Sequence, residues 1–138
     1  MRLSNRIFGS VLVLALLPAI VPSDAQAFTT RAGVRVNPVD ASVFEVVPRG
    51  GRANYWCSAS EYARRVLGAG WRAEVYIARG LGPSVTTGRR SAVQFTLEQS
   101  LAGGASAGGF KNHNTLKTGE SMSVQRANNY CNKSTNQF

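Results

Sequence analysis

The sequence predicts an α+β domain, one helix packed on a small antiparallel sheet of three to four strands and stapled by one disulfide. Three observations predict it. Apolar residues recur at helical spacing between Tyr55 and Val66. Two later segments alternate apolar and polar residues with period two. The only two cysteines, Cys57 and Cys131, stand in a chain that opens like an export signal.

That opening divides the chain. Arg2 and Arg6 provide a positive start, Ile7 to Leu17 an apolar stretch, and Ala25-Gln26-Ala27 a small-x-small cleavage site. Residues 1–27 therefore read as a signal peptide, residues 28–40 as an N-terminal tail or edge segment, and residues 41–138 as a single domain. The stretch from Ile7 to Val21 is broken by Gly9, Ser10 and Pro18, too short for the roughly 20 apolar residues of a spanning helix. The expected location is periplasmic or secreted, in a bacterium.

Removing Arg2, Arg6 and Asp24 from 16 basic and 7 acidic residues leaves 14 and 6, a mature net charge of +8. Eleven of the 14 are arginines, which suit bidentate pairing with carboxylate or phosphate. Such a balance speaks of partners rather than of fold. The partners expected are an anionic polymer, a lipid headgroup or an acidic protein.

The elements follow in order. Ala41 to Val47 is a strand stopped by Pro48. Ser58 to Leu67 is the helix: Ala59, Tyr62, Ala63 and Val66 form its stripe, and Ser58 with Glu61 resembles a capping box. Arg64 and Arg65 suit its last turn and Gly68 its end, with Cys57 at its mouth. Trp71 to Arg79 alternates with Trp71, Ala73, Val75 and Ile77 inward, Trp71 being a core residue. Ser91 to Leu97 alternates with Val93, Phe95 and Leu97 inward. These two strands pair as a hairpin across the loop Gly80 to Arg90. Residues 99–114, rich in Gly, Ala and Ser, form a flexible connection, and Ser121 to Arg126 is a last strand before Cys131. In an exported chain the two cysteines bridge to each other.

The run Tyr55-Trp56-Cys57, with Tyr62-Ala63, Leu67-Gly68, Ser84 to Arg90 and Ala92 to Thr96, resembles small exported proteins of alphaproteobacteria with no assigned role. The resemblance spans residues 54–97. It implies an envelope or secreted location and carries over no catalytic residue.

The richest candidate site is the loop from Arg79 to Arg90, with three arginines, glycines that turn amides toward an anion, and hydroxyls at Ser84, Thr86 and Thr87. It lacks the Gly-Lys-Ser/Thr ending of a nucleotide phosphate loop. Arg49, Arg52, Arg64 and Arg65 extend the basic face if the helix and the first loop lie beside it. Tyr55, Trp56 and Tyr76 would serve as stacking surfaces if they were exposed. No helix-turn-helix or zinc-finger spacing points to sequence-specific DNA binding.

His113, the single histidine, is the weak catalytic candidate, and would need Glu61, Glu74 or Glu120 beside it. One histidine and two bridged cysteines supply no zinc site, and the carboxylates lack calcium-loop spacing. No cofactor is expected. The reading is a non-enzymatic exported domain that binds an anionic envelope component or acidic partner through its arginine-rich loops. The alternative is a small envelope hydrolase built on His113 and a carboxylate.

Overall fold

The computed structural model describes residues 27–49, 51, 53–103 and 115–134. Nearly all of the segment expected to direct export, most of the 99–114 connection, Arg52 and His113 lie outside them.

Among the described residues the elements succeed one another as β1 (Phe28–Thr29), β2 (Arg35–Pro38), β3 (Val43–Val47), α1 (Ala53–Arg65), β4 (Glu74–Gly82), β5 (Ala92–Thr96), a single 3-10 turn (Gln99–Leu101), β6 (Ser121–Ser123) and α2 (Val124–Ser134). The strands form one sheet in the order β1-β2-β3-β5-β4-β6, every pair antiparallel. The class is α+β, but the expected one helix and three to four strands are corrected to two helices and six strands.

Residues 28–40 supply β1 and β2. Their turn closes where Gly33, at φ +74°, donates its amide to Thr30 O and Val34 N binds Thr30 Oγ1. Asp40 then takes the amides of Ser42 and Val43 at 2.8 and 2.9 Å, a side-chain turn that sends β3 back along β2.

α1 begins at Ala53, five residues before the expected Ser58. Cys57 therefore lies in its second turn rather than at its mouth, and there is no capping box. Ser58 Oγ is buried without a hydrogen-bond partner among the described residues. Glu61 instead accepts the Arg31 amide at 3.2 Å and Arg65 Nη1 at 2.7 Å. The apolar stripe was too narrow a guide because α1 is covered twice, by the sheet and by α2. Tyr55 to Ser60 are all buried, and the small side chains among them permit the close helix approach.

α2 replaces most of the expected last strand. Met122 and Val124 alternate like strand residues, but Val124, Ala127 and Cys131 also fall at helical spacing. Ser123 caps the helix by accepting the Arg126 amide, and Val124 N and Gln125 N bind Ala73 O and Trp71 O. Three of the helix's otherwise orphaned amides are thus satisfied. The disulfide joins Cys57 in α1 to Cys131 in α2.

The same carbonyl contacts hold Trp71 in a turn ahead of β4. It is 42% exposed, with Arg64 stacked 3.5 Å over its ring, and is not the expected core residue. The core lies between α1 and the sheet. There Val36, Phe44, Val46, Val75, Ile77, Val93 and Phe95 meet Tyr55, Trp56 and Tyr62. Phe44 lies 4.5 Å from Tyr62 and Trp56 5.2 Å from Phe95, ring centre to ring centre.

Candidate functional site

The opposite face of the sheet carries a polar row. Register pairs Asn37 with Glu45, Glu45 with Gln94, and Gln94 with Arg79, so four side chains line up across β2, β3, β5 and β4. Glu45 in the middle is fully buried. A buried carboxylate needs partners, and the loop after β4 folds over the row to provide them.

Ser84 Oγ donates to Glu45 at 2.5 Å and Thr86 Oγ1 at 2.7 Å. The amides of Val85 and Thr86 add bonds of 3.0 and 3.1 Å. From the sheet, Gln94 Nε2 approaches at 3.3 Å and Arg79 Nη2 at 3.4 Å. Burial alone would raise the Glu45 pKa. The bonds from Ser84, Thr86, the Val85 amide and Gln94 outweigh it and lower the value from an ordinary 4.5 to about 2. The loop is therefore an anion nest whose anion belongs to the chain itself.

This divides the sequence-predicted arginines. Arg79 turns inward, to Glu45 and, at 2.6 Å, to Pro83 O. Arg89 and Arg90 stay exposed at the far end of the loop, which is pinned by a 2.9 Å bond from Ser84 N to Arg89 O. Both line an open cleft of about 920 Å³ with Arg49, beside Tyr55 at the start of α1. An adjoining hollow of about 420 Å³ shares Arg49 and Arg89 and adds Arg35, Thr29 and Thr87.

Among the described residues no carboxylate lines either space and no ion pair joins these four arginines. Sequence reasoning missed Arg35. Reading 28–40 as strands would have placed it on the same face as Asn37.

Arg64 and Arg65 do not join the cleft. They sit at the other end of α1, about 14 Å along the axis from Tyr55 at 1.5 Å per residue. There Arg64 stacks on Trp71 and Arg65 binds Glu61. Arg52 and the catalytic candidate His113 fall outside the described residues. The carboxylates considered with His113 are each engaged: Glu61 by Arg31 and Arg65, Glu74 by Ser121 at 2.9 Å, and Glu120 by Thr115.

Trp56, 1% exposed, and the buried Tyr55 offer no stacking surface for bases.

No family model, curated protein or solved structure matches this chain. The functional reading therefore stands on the site's own chemistry.

Proposed function

We propose that this chain is an exported, non-enzymatic domain that binds an anionic envelope component or acidic partner through the cleft of Arg35, Arg49, Arg89 and Arg90. The observation that carries the reading is the contrast within one loop. Its hydroxyls and amides stabilise an internal carboxylate in its ionised form, while its two terminal arginines face a concave surface with no carboxylate among its described lining residues. Four guanidinium groups around two adjoining hollows repel one another until an anion arrives, and each is able to hold two oxygens at once. The export signal and the bridged cysteines favour an oxidising compartment outside the cytosol as the place of action.

Retention of the mature, oxidised protein on immobilised heparin tests this. Arg89→Ala with Arg90→Ala should elute at clearly lower salt than Arg64→Ala with Arg72→Ala, which removes the same charge elsewhere on the surface. Equal elution of the two variants would reduce the cleft to a share of the net charge and overturn the assignment.

A further inference from the structure

Val85 is the most exposed of the large apolar side chains described, at 60%, and Leu81 is next at 50%. A single exposed apolar residue is ordinary on a protein surface. These two differ by where they stand. Leu81 lines the cleft together with Arg49, Arg89 and Arg90. Val85 occupies the loop that ends in Arg89 and Arg90, between Ser84 and Thr86, the two residues whose hydroxyls turn in to Glu45.

The loop thus has inverted polarity. Its hydroxyls and amides point inward, and its one large apolar side chain points out. Four hydrogen bonds from the loop to Glu45, with that from Ser84 N to Arg89 O, hold it in this arrangement before any partner arrives. Pre-ordering of this kind lowers the entropy lost on binding.

We propose that the anion met by the cleft is the phosphate of an anionic phospholipid in a membrane surface. Arg35, Arg49, Arg89 and Arg90 pair with headgroup phosphates, and Val85 and Leu81 enter the boundary between headgroups and acyl chains. The proposal rests on the anion-binding reading and narrows it. A soluble polyanion gives an apolar tip nothing to meet, and the aromatic residues nearest the cleft, Tyr55 and Trp56, are buried in the core rather than open to stacking bases. A bilayer supplies both parts, negative charge at its surface and hydrocarbon a few ångströms beneath.

The test is co-sedimentation of the mature protein with vesicles of phosphatidylglycerol and phosphatidylcholine in equal parts, against vesicles of phosphatidylcholine alone, beside retention on heparin. The wild type should partition onto the anionic vesicles only. Val85→Asn with Leu81→Asn should lower that partition at least about tenfold, as expected from withdrawing two aliphatic side chains from an apolar boundary. Val85→Asn alone, at the more exposed position, should give a smaller loss in the same direction. Heparin retention of Val85→Asn alone should not change, since no charge is lost and Val85 lines neither hollow. Heparin retention without binding to anionic vesicles would overturn the lipid proposal and leave anion binding standing. Failure on both would overturn both. Undiminished vesicle binding by the double variant would show that the apolar tip does not insert.

Discussion

Thr86 binds the Glu45 carboxylate twice, through its amide at 3.1 Å and its hydroxyl at 2.7 Å. Its hydroxyl also accepts the Asn37 side-chain amide at 2.9 Å. One loop residue thereby ties β2 and β3 to the β4–β5 connection, 49 and 41 residues away along the chain. The shape of the arginine cleft depends on this knot, because the loop it fixes is the one that presents Arg89 and Arg90.

Stability should accordingly fall in acid. The Glu45 pKa is lowered on folding, so its contribution is complete above the unfolded value near 4.5 and is lost as pH falls through about 2. Its size is about 3 kcal/mol. Urea unfolding at pH 7, 4, 3 and 2.5 should show the loss, and Glu45→Gln should show a flatter profile across the same window. Parallel profiles for the two proteins would remove Glu45 as the source.

Reduction of the Cys57–Cys131 bridge should destabilise the domain by up to about 4 kcal/mol, the loop-closure value for residues 74 apart. Comparing urea midpoints of the oxidised protein with those of Cys57→Ser/Cys131→Ser checks it. The loss should be felt first where α2 packs on α1, as earlier hydrogen exchange of the α2 amides.

Gly80→Ala should cost about 1–3 kcal/mol. A Cβ at this position would lie 2.8 Å from Leu116 O and 3.3 Å from Thr118 N, both backbone atoms that cannot swing aside. Gly70→Ala is the control, with nothing within 4 Å of its added carbon, and should leave thermal stability nearly unchanged.

The two tryptophans should separate sharply. Trp56→Ala should cost about 3–5 kcal/mol, since the ring is fully enclosed against Phe95. Trp71→Ala should cost about 1 kcal/mol or less, losing mainly the stacking of Arg64 on a half-exposed ring. Denaturation curves of the two variants decide it, and comparable losses would return Trp71 to the core.

Local patterns were legible to the extent that local physics sufficed. The alternation of Val93 and Phe95 placed β5 within a residue at either end, and Gly68 does take a left-handed conformation just past α1, at φ +69°. The pairing of Cys57 with Cys131 followed from there being no other cysteine. Where one segment supported two periods, as at Met122 to Cys131, the choice fell to contacts with Ala73 and Trp71, some 50 residues earlier. The Ser58–Glu61 spacing misled in the same way: Glu61 serves Arg31, and a capping motif does not encode that distant partner.

By itself, then, the chain's composition and periodicity determined an α+β class, a sulfur bridge and an excess of guanidinium groups. Only the tertiary structure decided which of those groups are spent and which are available. Arg79 and Arg89 look alike in sequence, ten residues apart in one glycine-rich loop. Strand register sets Arg79 and Glu45 on either side of Gln94 in one row, and leaves Arg89 at an open hollow. Register is a long-range property of paired strands, and no local stretch of sequence carries it.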